Sequence, residues 1–266
     1  MLKEVMCCPR CKGDLRPEAG SYQRCSCSAC DAEYPIMEGV VDFQPLGGRP
    51  KGRGQRLMEY KPMVRIYESR LWRASKLFVP FMGISLDREI ALIKEITHPG
   101  PAEKVLDLAC GPGIYARAFA EGNPRREVFG LDLSWPMLRY AVGKAQRLGM
   151  GNITFMRGDA HWLPFRDCSL DVANCCGALH LFSDIRRVLG SLARVLRPGG
   201  RFSAAAALLR PESRFSRLKA RLDGKYWGVH YFRQAELEGL FDEAGFEPTV
   251  HHAKGIWIII SGLRRA

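Results

Sequence analysis

The feature that most constrains the fold is a glycine-rich turn directly after an apolar run. Residues 105–113 read Val-Leu-Asp-Leu-Ala-Cys-Gly-Pro-Gly, which is typical of a strand that passes through a tight turn into a helix and lets a ligand approach the backbone. From Lys104 onward, short Val/Leu/Ile runs alternate with helical segments. That alternation predicts an α/β fold with a parallel sheet covered on both faces.

The strands predicted in this region cover residues 104–109, 127–133, 153–156, 170–175 and 201–209. One intervening helix is expected to begin after Ser134, an N-cap with Pro136 in the first turn. Another is expected over 184–196, closed by the Pro-Gly-Gly that follows. Two strand-like runs, 249–252 and 255–261, end the chain and are close enough to pair.

With 266 residues, the chain is expected to form one large domain with a small appendage. No apolar run approaches the roughly 18–20 residues that span a bilayer, and the N-terminus lacks the apolar stretch of a secretory signal. We therefore expect a cytoplasmic protein without a transmembrane segment. Its predicted parts are a cysteine-rich module over 1–44, a basic linker over 45–56, and a main domain over 57–266.

Six of the ten cysteines lie within the first thirty residues, which indicates one local site and argues against the disulfides of an exported protein. The two Cys-x-x-Cys pairs are Cys8 with Cys11 and Cys27 with Cys30. Four thiolates at this spacing can enclose zinc and leave no open position for chemistry, so we predict a structural Zn2+ site. An assignment that uses Cys7 or Cys25 in one pair stays open, although its spacing is irregular.

The net charge of +12 is concentrated in two stretches. Residues 45–76 hold nine basic and two acidic residues, and residues 210–225 hold six basic and two acidic ones. Such stretches suit an anionic partner such as RNA, an acidic small molecule or a lipid surface. A solvated face without a partner is an equally consistent interpretation.

The residues around the glycine turn disfavour a phosphate. Pro112 lacks the N–H that a pyrophosphate site uses, and Asp107 would repel phosphate from the strand end. The same carboxylate attracts the cationic amino-acid end of S-adenosylmethionine. Asp132, at the end of the next strand, is the candidate acceptor for the ribose hydroxyls, and Asp159, after the third strand, is the candidate for the adenine amine.

Acidic residues thus lie at the ends of three consecutive predicted strands. With this arrangement, the sequence resembles the class I S-adenosylmethionine-dependent methyltransferases over about 104–264. The segments Gly158-Asp159-Ala160, Leu163-Pro164-Phe165, Ala178-Leu179-His180 and 194–200 look like the quinone-methyltransferase-like branch of that family. With the cysteine module, the chain resembles a bacterial and plastid group of zinc-ribbon methyltransferases. The resemblance implies a Rossmann-like seven-stranded sheet with an antiparallel last strand, a zinc ribbon over 1–44 and a methyltransferase domain over 57–266.

The resemblance also implies a set of cofactor-binding residues: Asp107, Ala109, Gly111, Gly113, Asp132, Leu133, Met137, Gly158, Asp159, Ala160 and Cys175. Tyr67, upstream of the core, is a candidate lid residue because related methyltransferases place a covering helix there. Two positions depart from the family pattern. Ala109 stands where the family usually has its first glycine, and Cys175 with Cys176 forms an unusual pair after the fourth strand.

Methyl transfer from a sulfonium is an in-line displacement, so alignment in a dry pocket can supply most of the catalysis. Where the acceptor must lose a proton, His180 is the candidate general base; an equally weighted alternative is a histidine that packs or caps. His161 is a weaker candidate because it directly follows the expected adenine contact. Residues 225–232, rich in aromatics, are expected to shape the acceptor pocket or simply to pack.

Two functions fit the sequence best. The favoured one is methyl transfer to a small, aromatic or quinone-like acceptor. The alternative is an rRNA or tRNA base methyltransferase that binds RNA through the zinc ribbon and the basic linker. A non-catalytic protein that uses the cofactor fold to hold a partner is a third class, against which the retained Asp107, Asp132 and Asp159 argue. The sequence does not indicate the methylated atom or the oligomeric state.

Overall fold

The computed structural model describes residues 3–18, 23–44, 64, 79–101, 103–209 and 214–266. The predicted linker over 45–56 and the candidate lid residue Tyr67 lie outside these ranges.

The cysteine-rich module contains β1 (Leu15–Pro17), β2 (Arg24–Cys27), β3 (Glu33–Met37) and β4 (Val40–Asp42). Helices α1 (Val79–Met82) and α2 (Leu86–Thr97) precede the main sheet. The main domain then runs through β5 (Lys104–Leu108), α3 (Ile114–Ala120), β6 (Glu127–Asp132), α4 (Trp135–Arg147), β7 (Ile153–Arg157) and β8 (Leu170–Cys176). A 3-10 turn (Leu179–Leu181), α5 (Ile185–Val195), β9 (Leu196–Ala207), α6 (Arg214–Trp227), α7 (Gln234–Glu243), β10 (Phe246–Lys254) and β11 (Trp257–Arg264) complete the chain.

The strands of the main domain lie in the order β7-β6-β5-β8-β9-β11-β10. Neighbours from β7 to β9 are parallel, and β11 is antiparallel to both β9 and β10. The predicted α/β class, the seven strands and the antiparallel last strand are confirmed. Since parallel strands place their carboxyl ends at one edge, the three predicted acids meet at the same edge of the sheet.

Apolar side chains alternate between two core clusters, one on each face of the sheet. On β5, Leu106 and Leu108 belong to one cluster and Val105 to the other, and all three are fully buried. This two-sided burial is the reason that the central strands are almost continuously apolar.

Side chains cap two of the predicted helices, and one of these caps, Ser134, was predicted from the sequence. The Ser134 side chain accepts the N–H of Met137 at the start of α4, and the Asp184 side chain accepts the N–H of Arg187 at the start of α5. Both caps satisfy an N–H that the first turn of a helix leaves unpaired.

One predicted boundary is wrong: β9 begins at Leu196 and not near residue 201. Leu196 pairs with Leu170, and the register then shifts so that Arg201 pairs with Val172. The Pro-Gly-Gly segment forms this irregularity, with Gly199 at a φ of 71°. The strand therefore absorbs a segment whose composition predicts a turn.

The cysteine-rich module is continuous with the main sheet. Strand β4 pairs in parallel with the edge strand β7, matching Val41 to Met156 and Asp42 to Arg157. The described strands thus form one eleven-stranded sheet, and the exposed edge that β7 would otherwise present is covered.

No helix in the part of the chain that the structure describes is long and apolar enough to cross a membrane.

Candidate cofactor site and cysteine cluster

The predicted glycine turn lies between β5 and α3. The Cys110 N–H donates to the Leu131 carbonyl on β6 at 3.0 Å. Gly111 and Gly113 have φ angles of 51° and 78°, which glycine adopts without strain. A Cβ at Gly111 would meet nothing within 4 Å, whereas one at Gly113 would lie 3.0 Å from the Ala141 Cβ. Gly111 therefore borders open space for a ligand, and Gly113 permits close packing of α3 on α4.

Ala109 is the strained member of this turn. Its φ of 53° is left-handed, a conformation that costs an alanine about 1–2 kcal/mol. The structure shows that the backbone keeps a glycine-like conformation and carries the strain beside the ligand loop.

Asp107 is buried beneath the turn. One carboxylate oxygen accepts the Ala116 N–H at 2.8 Å, and the other accepts from the Asn174 side-chain amide at 2.9 Å. Burial raises the pKa of Asp107 to about 7, and the nearby Asp132 charge raises it further while the two hydrogen bonds oppose the shift. Asp107 thus ties the first turn of α3 to β5 and places a titratable charge under the loop.

Asn174 is a residue that sequence reasoning missed. It lies in β8 opposite Asp107 in the parallel register. Its side-chain oxygen accepts from the Ser203 hydroxyl at 3.0 Å and from the Cys176 thiol at 3.1 Å. These bonds fix the amide so that it donates to Asp107. The available signal was an asparagine inside an otherwise apolar strand buried on both faces.

Asp132 joins the glycine turn to the next loop. One of its oxygens accepts the Gly111 N–H at 2.8 Å, and the other accepts the Ser134 N–H at 2.8 Å. Each oxygen has a second lone pair, so the carboxylate is held in place and can still accept ribose hydroxyls.

Asp159 is held by His161, the weaker of the two candidates for a general base. The His161 backbone N–H and ring Nδ1 lie 2.9 and 2.5 Å from the same Asp159 oxygen. The His161 ring is buried and packs edge-on against Phe182. In this arrangement Nδ1–H donates to the carboxylate, so His161 orients the candidate adenine ligand.

The other predicted cofactor residues lie near these acids. The Gly158 N–H donates to the Asp132 carbonyl at 3.1 Å. Cys175 is buried in β8, and burial raises the pKa of its thiol, which the charges of Asp107 and Asp132 raise further. Leu133 accepts a hydrogen bond through its carbonyl, and Met137 and Ala160 are buried.

His180 lies in the 3-10 turn after β8. Its Nδ1 accepts the Ala207 N–H at 3.4 Å, and its ring packs edge-on against Trp257 with centroids 5.8 Å apart. Its carbonyl accepts the His230 N–H at 2.8 Å. The bond at Nδ1 is longer than a strong hydrogen bond, so it orients the ring and engages the lone pair only weakly.

The cysteine cluster consists of Cys8, Cys11, Cys27 and Cys30, whose sulfur atoms all lie within 4.8 Å of one another. Tetrahedral zinc with Zn–S bonds of about 2.3 Å requires sulfur separations of about 3.8 Å, and the Cys8–Cys30 and Cys11–Cys27 separations are 3.7 and 3.4 Å. The backbone N–H of Ala29 donates to the Cys27 sulfur, as a thiolate ligand requires. Cys7 and Cys25 are buried outside this group, so the alternative pairing is not the one that the fold assembles.

A buried ion pair connects this module to the cofactor edge. Asp42 of β4 and Arg157 of β7 lie 2.9 Å apart, with side chains 8% and 16% exposed. The Arg157 Nε donates to the Leu133 carbonyl at 3.0 Å, and its guanidinium lies 5.6 Å from the Trp135 ring centroid. Arg157 therefore contacts the cysteine-rich module, the loop after β6 and the start of α4.

A protein-family model for a methyltransferase domain matches residues 105–200. The uncharacterized chloroplastic methyltransferase At1g78140 of Arabidopsis thaliana is 25% identical over 284 residues, covering 98% of this chain and 79% of the relative. The uncharacterized methyltransferase YcgJ of Bacillus subtilis is 40% identical over 134 residues, half of each chain. Its solved structure has a TM-score of 0.60 at 22% identity and covers 68% of this chain and 99% of its own.

A demethylmenaquinone methyltransferase of Thermus thermophilus is 40% identical over 99 residues, which are 37% of this chain and 44% of the relative. The match thus spans less than half of that enzyme's length. The strand order, the glycine turn and these matches agree. The chain belongs to the class I S-adenosylmethionine-dependent methyltransferases and is related to the demethylmenaquinone methyltransferases and to At1g78140.

Proposed function

We propose that this methyltransferase acts on a small aromatic or quinone-like acceptor. The observation that carries the proposal is the position of His180, whose turn follows β8 at the same edge of the sheet as the glycine turn. The His180 and His230 rings pack edge-on against the buried rings of Trp257 and Phe232. Imidazole rings held in this way can make edge and face contacts with a flat aromatic acceptor. The names of related demethylmenaquinone methyltransferases agree with an acceptor of this class.

The residues at the strand ends fit S-adenosylmethionine. We propose that Asp132 accepts the ribose hydroxyls, that Asp159 accepts the adenine amine, and that the Asp107 charge favours the cationic amino-acid end. Gly111 leaves room for the backbone to approach the cofactor, and Leu133, Met137, Gly158, Ala160 and Cys175 complete the predicted contacts. When bound, S-adenosylmethionine supplies an electrophilic methyl group on a sulfonium.

The chain's own task is then to orient the acceptor and to exclude water. An acceptor that takes up this methyl group would have to lose a proton. We propose that His180 receives this proton at Nδ1. The weak hydrogen bond from the Ala207 N–H would be given up when the proton binds. His180→Asn should lower turnover and remove the pH dependence due to an imidazole. Turnover unchanged across the pH range would remove His180 from the mechanism.

The acceptor class is tested with a prenylated naphthoquinol kept reduced under argon and, in parallel, with total RNA, each incubated with methyl-labelled S-adenosylmethionine. Mass spectrometry should show a singly methylated naphthoquinone product and no label in RNA. Label in RNA alone would support the RNA alternative and overturn the small-molecule acceptor. The basic stretch over 45–76, on which that alternative depends, lies almost wholly outside the described residues.

We further propose that the four-cysteine cluster holds a structural zinc ion. All four positions of a tetrahedral ion would be taken by Cys8, Cys11, Cys27 and Cys30, which leaves no site for substrate. Cys27→Ser should reduce the zinc content from one ion per chain and unfold the module, whereas Cys25→Ser should retain the metal. Equal zinc content in the two variants would show that the ligand set is wrong.

A further inference from the structure

Helix α6 carries an exposed apolar row that no other element of the described structure covers. Leu218, Leu222 and Tyr226 are 55%, 45% and 48% exposed. They recur every four residues, so they lie along one side of the helix. Trp227, at the end of the helix, is 46% exposed. A soluble helix normally turns such side chains toward a core.

Basic residues flank this row. Between Arg214 and Trp227 the helix contains five lysines and arginines and one acid, Asp223. At 3.6 residues per turn, Arg221 and Lys225 fall beside the Leu218–Leu222–Tyr226 row. The Lys225 ammonium lies 5.6 Å from the Tyr226 ring. An apolar row bordered by flexible cations is the pattern of a helix that lies in the headgroup region of an anionic membrane.

The side of α6 that carries Asp223 is bonded to the segment that follows the helix. The Tyr231 hydroxyl donates to the Asp223 carboxylate at 2.8 Å. The segment after the helix then bonds to the 3-10 turn and to the end of β9, through His230 N–H to the His180 carbonyl and Leu209 N–H to the Phe232 carbonyl, both at 2.8 Å. Asp223 lies about 100° around the helix from Leu222. Leu218 and Leu222 therefore do not face this contact, and Tyr226 lies nearer to it.

We propose that α6 is a membrane-surface docking helix whose partner is an anionic lipid bilayer. Charge complementarity supports this occupant, because the helix carries a net charge of +4 within a chain of net charge +12 and because cytoplasmic leaflets are negative. The segment after the helix is bonded to the turn that contains His180, through the His230 N–H. Docking would bring the acceptor side of the enzyme to the surface where lipophilic quinones reside, a consequence that rests on the proposed acceptor class.

The test is cosedimentation of the full chain with vesicles of phosphatidylcholine alone or mixed with phosphatidylglycerol, without any methyl acceptor. Wild type should pellet with the anionic vesicles and not with the neutral ones. Leu222→Glu should lower the partition coefficient about tenfold or more, because it replaces an inserted side chain with a charge that the anionic surface repels. Leu148→Glu is the matched control, since Leu148 is 53% exposed on a different helix end, and it should bind as wild type does.

Trp227 gives a local readout: its emission should shift to the blue on anionic vesicles, and Trp227→Phe should abolish the shift. Absence of wild-type binding, or equal binding by Leu222→Glu and Leu148→Glu, would overturn the proposal. A lower melting temperature for Leu222→Glu, together with no vesicle binding by the wild-type chain, would also overturn it. That result would indicate that another segment of this chain covers the row. Methylation of the detergent-dispersed naphthoquinol is measured separately, so failure of docking is distinguishable from failure of the proposed acceptor.

Discussion

The ion pair between Asp42 and Arg157 joins the cysteine-rich module to the main sheet, and its contribution to the free energy of unfolding can be measured. Its side chains are 8% and 16% exposed, so Asp42→Asn leaves the Arg157 charge buried and unpaired. Removal of one partner of such a pair costs about 3–5 kcal/mol when burial is complete. Because asparagine keeps the shape of the aspartate and burial is incomplete, we expect the lower end of this range, a loss of about 3 kcal/mol in the free energy of unfolding.

The matched control lies in the same module. Arg24 and Glu33 form an ion pair 3.0 Å long, but their side chains are 55% and 63% exposed. Glu33→Gln should therefore cost less than about 1 kcal/mol. Both variants are compared by urea denaturation at pH 7, followed by tryptophan fluorescence, to which Trp135 beside Arg157 contributes, and by far-ultraviolet circular dichroism.

Asp42→Asn should also weaken binding at the cofactor edge of the sheet. Arg157 bridges β4 and the Leu133 carbonyl, so a displaced guanidinium would loosen the loop after Asp132. Loss of one net hydrogen bond corresponds to roughly a twofold to tenfold weaker affinity for S-adenosylhomocysteine. Equal stability losses in Asp42→Asn and Glu33→Gln, together with unchanged affinity, would refute the view that this buried pair joins the module to the site.

Two further predictions concern the glycine turn. Because burial raises the pKa of Asp107 from 3.8 to about 7, the folded protein holds a proton that the unfolded chain releases, and the free energy of unfolding should fall between about pH 4 and 7. Asp107→Asn should reduce that fall by up to about 4 kcal/mol; an unchanged slope in urea titrations across this range would contradict the shift. Ala109→Gly should stabilise the protein by about 1 kcal/mol by relieving the left-handed alanine, whereas Ala118→Gly, in helix α3, should destabilise it by a similar amount. Destabilisation by Ala109→Gly in the same denaturation assay would show that the turn is not strained.

Local patterns were sufficient to predict most of the main domain. The apolar runs predicted β5 to β8 to within about two residues, and Ser134 predicted the start of α4. The acids at the ends of β5 and β6 were found because parallel topology brings consecutive strand ends together. Each of these features depends on residues near one another in the chain.

Features that depend on distant pairing were not predictable in this way. Nothing near Val41 indicates that it pairs with Met156, and nothing near Asp42 indicates its partner Arg157. The same holds for Asn174, whose role depends on the side chain that faces it from β5. The irregular start of β9 was missed because the pairing of Leu196 with Leu170 overrides the local preference of Pro-Gly-Gly for a turn.

Isothermal calorimetry with S-adenosylhomocysteine gives the most direct test of the cofactor edge, with Asp132→Ala as the comparison because that carboxylate is held by the Gly111 and Ser134 N–H groups. The wild-type chain should bind the nucleoside, and Asp132→Ala should weaken binding by at least about tenfold through loss of charge-assisted hydrogen bonds. Equal affinity in the two proteins, or heat from NAD or ATP with none from S-adenosylhomocysteine, would contradict the assignment of this edge.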